Sequence, residues 1–370
     1  MFDYIEWRGD LSFAQSSFNE VDNLILCMLS CVDLSGIVPE PIGNRSISAA
    51  EAAAQYFSRS ENADMRLGVL LPNEITPLFT KLAECKRFSS IMLSAYVNQI
   101  DDQVEKQFSA MTIALGDGTK YVVFRGTDDT IVGWKEDFNM SFSTHVPAQT
   151  DAVDYLQCVA DSGPEALRVG GHSKGGNLAV YASMHSPPHV QARIIEVYNN
   201  DGPGFRESVI AQECYQNIRD KIKTFIPQSS IVGMLLEHEE AYRVVKSRGI
   251  GLWQHNGFTW EVLGTHFIHL DTVTNGCLYL DKTLKAWVDS LDTEQRRQFT
   301  EALFGILEST GAKTLTELTA SKLKNAKIMI NALKHLDKDT KDMLTRTIRL
   351  LLKEGARMSY MYINPYMQAK

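Results

Sequence analysis

Gly171-His172-Ser173-Lys174-Gly175 is the stretch that decides how this chain reads. It has the form G-x-S-x-G, which places a serine on a sharp turn from a strand into a helix. The flanks have the composition such a turn needs. Ala166 to Gly170 (ALRVG) reads as a short buried strand. Lys174 to His185 (KGGNLAVYASMH) reads as a helix with Leu178, Ala179 and Tyr181 to pack. The backbone of such a turn is strained, and a Cβ at either flanking glycine would crowd the strand or the helix. The helix N-terminus behind Ser173 offers N–H groups and a positive dipole end to an oxyanion. A chance serine in a glycine-rich turn is the plain alternative. The strand, the helix and the doubled Gly175-Gly176 favour a nucleophile.

Working outward, residues 1–100 read as mainly helical: Val21 to Ser30, an Ala-rich segment from Ser46 to Phe57, and Ile75 to Phe88. From about 108 the pattern changes. Ala110 to Leu115, then Gly-Asp-Gly at 116–118, then Tyr121 to Arg125 predicts a β-hairpin. Helices near 150–162 and 205–217 then alternate with strands at 166–170, 194–198 and 222–226, and Val244-Val245 and Thr259 to Val262 could add further strands. Alternation of this kind implies an α/β architecture, a doubly wound and mostly parallel sheet. Past 282 the sequence reads as helical to its end, and Asp292 with Gln295 resembles a helix start. The expected division is a domain over 1–281 with an N-terminal helical extension, and a C-terminal helical subdomain over 282–370.

The chain of 370 residues is long enough to bury a large core, and its 44% hydrophobic and 22% charged residues are ordinary for a soluble globular protein. A net charge of −8 argues against nucleic acid as the main partner. Residues 282–370 depart from that balance, with 16 basic against 10 acidic residues. Such a basic face is most simply a solvated surface, with peripheral contact to an anionic membrane as the alternative. The start, MFDYIEWRGDLSF, has neither the basic nor the apolar region of a secretory signal, and no apolar run reaches the length of a membrane span. Six scattered cysteines without a CxxC motif read as reduced thiols, which predicts a cytoplasmic location.

Nucleophilic catalysis by a serine needs a base, an orienting acid and an oxyanion hole. Phe124-Arg125-Gly126-Thr127 ends a strand and enters a loop with Trp134 and Asp137. The backbone N–H of Thr127 is the expected first oxyanion donor, and that of Lys174 the second. The Lys174 side chain could approach the oxyanion, but a local salt bridge away from the pocket is the commoner use. Asp201, in Asn199-Asn200-Asp201-Gly202-Pro203-Gly204, follows the first strand after the elbow helix, so its strand end lies beside Ser173. It is the expected acid, with an Asx-rich turn as the structural alternative. Glu237, Glu239 and Glu240 are the other carboxylates in reach. His255 is the expected base. His266 and His269 are its rivals; on one strand a spacing of three puts them on opposite faces. His172 is read as pointing the wrong way. The H-x-x-H spacing hints at zinc, but no third ligand is evident, so neither a metal nor a cofactor is expected.

These residues resemble the core of class 3 (fungal-type) lipases. Val122 to Thr127 (VVFRGT) followed by Trp134 and Asp137 is similar to that family's oxyanion strand, and Gly171 to Gly176 (GHSKGG) resembles its elbow. More of the chain, roughly 1–270, resembles a bacterial α/β-hydrolase-like family related to those lipases. The shared text includes Tyr4 to Phe13, Phe18 to Asp22, S-K-G-G-N at 173–177, N-D-G-P-G-F at 200–205, P-Q-S-S-I-V-G-M at 227–234 and H-N-x-F-x-W at 255–260. The resemblance implies an α/β-hydrolase fold. It also exposes a departure. Class 3 lipases carry their acid in a D-x-V-P text after the later strand, where this chain has Ser230-Ile231-Val232-Gly233.

Two functions follow as expectations. One is a serine hydrolase of lipase or esterase type, cleaving a small-molecule carboxylic ester, with Ser173 as nucleophile, His255 as base and Asp201 as acid. In that reading residues 231–252 form part of a lid or acyl wall. The other is a non-catalytic protein that keeps the fold to bind an acyl group, another small ligand or a protein partner. A homo-oligomer is compatible with both.

Overall fold

The computed structural model describes residues 1–43, 45–60, 71–238, 240–289, 291–347 and 349. The strands are β1 (Ile47–Ser48), β2 (Met92–Asp101), β3 (Lys106–Ala114), β4 (Thr119–Phe124), β5 (Ala166–His172), β6 (Ile194–Asn200), β7 (Ile222–Pro227), β8 (Tyr242–Val245), β9 (Val262–Leu263), β10 (His266–Phe267) and β11 (His269–Leu270). The longer helices are α1 (Phe2–Arg8), α2 (Glu20–Leu29), α3 (Ala49–Ser60), α4 (Ile75–Glu84), α5 (Ile131–Asn139), α6 (Pro147–Asp161), α7 (Lys174–His185), α8 (Asn275–Asp289), α9 (Thr293–Glu308), α10 (Leu315–Ala320) and α11 (Lys322–His335).

Nine strands form one sheet in the order β1-β2-β3-β4-β5-β6-β7-β8-β11. Strands β4 to β8 run parallel, and antiparallel strands extend both edges. The parallel strands lie side by side in chain order. Right-handed crossovers therefore put their connecting helices on the same face. Leu156 of α6 and Leu178 and Val180 of α7 accordingly pack in one cluster with Val122, Val169 and Val197 of the sheet. The opposite face is covered by the N-terminal helices. Leu24, Leu29, Phe79 and Phe88 pack there with Tyr121, Val123 and Phe225. Tyr121 and Val123 face one layer and Val122 the other, as the two-residue strand period requires. Helix α2 is buried from Val21 to Leu29, mostly with apolar side chains, and its buried Asp22 and Asn23 are hydrogen-bonded. Its start is fixed by a capping box between Asn19 and Asp22. The result is an α/β-hydrolase-like fold with helices on both faces.

Several elements differ from the sequence reading. Strand β2 lies inside the segment read as helical. Its register against β3 shifts between Ser94 and Val97, and that irregularity breaks the alternation that marks a strand. The expected helix 75–88 stops at Glu84, and a separate turn covers Lys86–Ser89. The helix expected near 205–217 is two short turns, Glu207–Ile210 and Glu213–Gln216. Gly257–Thr259 is a 3-10 turn, and only Val262–Leu263 of that region is a strand. The loop expected after Thr127 contains helix α5, capped by Thr130.

Helix α8 spans Asn275–Asp289, across the expected division at 281/282. Helix α9 starts with the Asp292–Gln295 capping box. The C-terminal helices rest on α5, through a cluster of Ile131, Trp134 and Phe138 with Leu303, Phe304 and Ala312. Two backbone hydrogen bonds fix that contact, Ile131 N–H to Lys313 O (2.9 Å) and Leu315 N–H to Asp129 O (2.9 Å). The helical text read beyond residue 350 lies outside the described residues. No described helix is long and apolar enough to cross a membrane.

Candidate active site

Strand β5 ends at His172 and α7 begins at Lys174, so Ser173 is the whole of the turn between them. Its backbone has φ 59° and ψ −134°, a strained conformation for a residue with a side chain. Neighbouring backbone holds it there. The Ser173 N–H donates to Asn200 O (2.9 Å), and Gly176 N–H donates to Ser173 O (2.9 Å). The glycine after the serine is required by close approach. A Cβ on Gly175 would lie 2.1 Å from the Phe124 carbonyl oxygen. Below the turn is a buried amide network. Asn200 Nδ2 donates to Gly171 O (2.9 Å), Asn23 Nδ2 to Asn200 Oδ1 (2.8 Å), and the Tyr121 hydroxyl to Asn23 Oδ1 (2.7 Å). These bonds tie α2 and β4 to the ends of β5 and β6, and satisfied networks of this kind rigidify a core.

Asp201 follows β6 directly and also has a positive φ, 52°. Its carboxylate is fully buried. Oδ2 lies 2.6 Å from Nδ1 of His255. Oδ1 accepts from the Ser230 hydroxyl (2.5 Å) and the Gly233 N–H (3.1 Å). Ser230, just after β7, therefore donates to a carboxylate that follows the neighbouring strand β6. With Nδ1–H donated to Asp201, Nε2 of His255 is the basic nitrogen. Among the described residues no hydrogen bond joins that ring to the Ser173 hydroxyl. In a free enzyme such contacts are often long and tighten only around substrate.

His172, read as pointing the wrong way, is turned onto the histidine itself. Its Nε2–H donates to the His255 carbonyl oxygen (2.7 Å), and the two rings are 4.5 Å apart. Burial and the neighbouring His255 push the His172 imidazole down to about 3, so it stays neutral as a backbone donor. The other sequence candidates are engaged elsewhere. Glu237 pairs with Lys285 (3.1 Å), and buried Glu240 is bound by Tyr215, Thr224 and His238. Glu239 lies outside the described residues. His266 and His269 belong to two different strands, not one, and both line the same polar cavity with Glu20, Tyr198 and Lys223. His269 Nε2 is 3.0 Å from Glu20 there.

On the other side of Ser173 the β4–α5 loop presses on the elbow. A Cβ on Gly126 would meet the His172 carbonyl oxygen at 2.6 Å and Ser173 Cβ at 3.1 Å. The N–H groups of Thr127 and Lys174 make no hydrogen bond among the described residues. The Thr127 hydroxyl donates to Asp137 Oδ2 (2.5 Å), and burial raises the Asp137 carboxyl to about 6. The Lys174 side chain turns inward. Its Nζ donates to Gln107 O (2.8 Å) and Glu136 Oε2 (2.9 Å). Glu136, fully buried, also accepts from the Gln107 N–H (3.0 Å) and the Ala148 N–H (2.9 Å). The cation is thus spent on the core carboxylate of α5, as a local salt bridge. Sequence reasoning missed Glu136, Ser230 and His172 as supports of this site. Among the described residues no group of three or more His, Cys, Asp or Glu could hold a metal ion.

Residues 82–305 match the model of the Mbeg1-like family. No curated protein matches the chain in sequence. In three dimensions the chain is similar to a fungal lipase solved in complex with an inhibitor, at 13% identity over 55% of this chain and 83% of that one, with a TM-score of 0.35. It is also similar to a mutant form of MDLA from Penicillium cyclopium, at 14% identity over 62% of this chain and 86% of that one, with a TM-score of 0.32.

Proposed function

The chain belongs to the Mbeg1-like family, and we propose that it acts there as a serine hydrolase of lipase or esterase type that cleaves a carboxylic ester. The observation that carries the proposal is the 2.6 Å contact between Asp201 Oδ2 and His255 Nδ1 beside a serine in a strained strand-to-helix turn. In this reading the Ser173 hydroxyl attacks the ester carbonyl and His255 Nε2 takes its proton. The buried Asp201 carboxylate orients the imidazole and stabilises it when charged. The N–H groups of Thr127 and Lys174 hold the tetrahedral oxyanion, with the α7 dipole behind them. Protonated His255 then gives its proton to the leaving alcohol, and water attacking the acyl-enzyme completes the cycle. The acid has moved one strand earlier than in class 3 lipases, with Ser230 kept as its hydrogen-bond donor. The resemblance to bacterial relatives of those lipases is part of the same reading. Six unpaired cysteines suit a reducing compartment such as the cytoplasm.

The test is hydrolysis of nitrophenyl esters of graded acyl length by the wild type and by Ser173→Ala. The proposal expects turnover by the wild type and a loss of about 10³-fold or more in the variant. Equal rates for the two proteins, or no turnover of any ester, would point instead to a fold retained for binding.

A further inference from the structure

Three side chains at one turn have no place in the fold. Ile250 is 75% exposed, Leu252 66% and Trp253 75%, all within four residues. Soluble proteins scatter single apolar residues over their surface, but a cluster of three at a loop tip marks a contact site. The loop is built to present them. Its base is fixed by the Arg248 N–H to Thr259 O (2.9 Å) and by the hydroxyls of Ser247 and Thr259 (2.7 Å). On the other side buried Gln254 accepts from the Ser229 N–H (2.9 Å), and its carbonyl accepts from Trp260 Nε1 (2.9 Å). At the tip Gly251 takes φ +57° with nothing within 4 Å of where a Cβ would be. The tip is therefore held out from the body on a rigid base.

Charge says what it meets. Residues 241–260 hold Arg243, Lys246 and Arg248 and no acidic residue, in a chain whose net charge is −8. Arg248, next to the tip, is exposed and makes no ion pair among the described residues. Exposed Trp and aliphatic groups beside an unpaired arginine, with Arg243 and Lys246 paired to Glu20 and Glu261 further down the loop, suit the boundary between anionic headgroups and acyl chains. The same 3-10 turn, Gly251–His255, ends on His255. Trp253 at the tip is two residues from the imidazole that contacts Asp201.

We propose that the loop 248–253 docks the protein on an anionic lipid surface, with Ile250, Leu252 and Trp253 inserted and Arg248 at the headgroups. This places the membrane contact at the active-site loop and not on the basic C-terminal helices. It stands whether or not Ser173 is a nucleophile.

The test is sedimentation of the full chain with vesicles of phosphatidylcholine containing phosphatidylserine. The wild type and Ser173→Ala should both pellet, more weakly on pure phosphatidylcholine and at high salt. Replacing Ile250, Leu252 and Trp253 together by Ser should weaken partition by about tenfold or more. Leu323→Ser with Ile330→Ser, exposed positions on α11, should leave it unchanged. Tryptophan emission should shift to the blue on the vesicles, and Trp253→Phe should remove most of that shift, which keeps the test open if the triple variant fails to fold. A wild type that stays in the supernatant overturns the proposal, as does vesicle binding that survives the triple substitution or depends on Leu323 and Ile330. A dimer in solution that the triple variant dissociates, without vesicle binding, would show a second copy as the occupant.

Discussion

On the Asp201 side of Ser173, Asp201 and Ser230 follow neighbouring strands, His255 comes in on a 3-10 turn, and hydrogen bonds join all three. Asp201 alone is held by Ser230, Gly233 and His255. On the Thr127 side the equivalent loop is a short stretch between β4 and α5, and its supports come from far along the chain. One is the buried pair of Lys174 with Glu136. The other is the contact of α5 with the C-terminal helices. Among the described residues, buried polar atoms without a hydrogen-bond partner are more numerous on this side, with both amide atoms of Gln107, Arg125 Nε and Asp137 Oδ1 against Asn199 Nδ2 beside Asp201. The Asp201 side is over-determined by the sheet. The Thr127 side is assembled from parts that can be loosened one at a time, and variants should separate the two.

The largest effect is expected at the Lys174–Glu136 pair. Lys174→Met leaves a carboxylate buried and unpaired, which costs about 3–5 kcal/mol. Adding Glu136→Gln to that variant should recover a good part of the loss. Denaturant unfolding of the two variants measures this, and a Lys174→Met protein as stable as the wild type would remove the pair from the account. Next comes truncation. We propose that the C-terminal part expected at 282–370 is separable from α9 (Thr293–Glu308) onward, so the sheet should stay folded when the chain is cut after residue 292. The β4–α5 loop should not keep its place, because Ile131 and Asp129 lose their partners at Lys313 and Leu315. Esterase activity should fall by ~10²-fold, the order expected for a lost oxyanion donor. Full activity in the truncated protein would show that the two sides are equally self-contained.

Ser230 sharpens the other half of the comparison. Ser230→Ala removes a hydrogen bond to a buried carboxylate, worth ~1.5–3 kcal/mol, and should lower kcat by about tenfold or more with little change in KM. If the acid has truly changed strands, Asp201→Ser combined with Ser230→Asp should recover activity that Asp201→Ser alone loses. The last effect is a pH dependence. The unfolded chain protonates His172 near its ordinary value of 6.5, whereas the folded protein holds the proton off until about 3. Between those values the unfolded state binds more protons, so stability falls as pH is lowered through that window. The urea midpoint measured against pH should show this slope, and His172→Asn should flatten it.

The difference between the two halves also governs what the sequence could reveal. Ser173, Asp201 and the strand ends around them are local features. Each lies in a turn directly after an apolar strand, flanked by Gly, Asn or Pro whose backbone demands are visible in one stretch of text. The alternation of strand and helix from 108 onward was legible for the same reason. Strand β2 was not, because its bulge spoils the period. Nor was the pairing of Lys174 with Glu136, whose partners are 38 residues apart with a helix boundary between them. Ser230 could be seen only as a missing carboxylate. Its hydroxyl acquires a meaning once β6 and β7 stand side by side and Asp201 lies 2.5 Å away. His172 was set aside as a base, and its part as a donor to the His255 carbonyl could not be read without the loop that arrives from 83 residues later.

In the proposed function Ser173 is a nucleophile activated by His255 and Asp201. A fluorophosphonate probe with mapping of the labelled peptide tests it most directly. Labelling of the wild type at Ser173 alone is expected, with its loss in Ser173→Ala and strongly slowed labelling in His255→Ala and Asp201→Asn. A wild-type protein that takes up no probe, or labelling that survives Ser173→Ala, would contradict it.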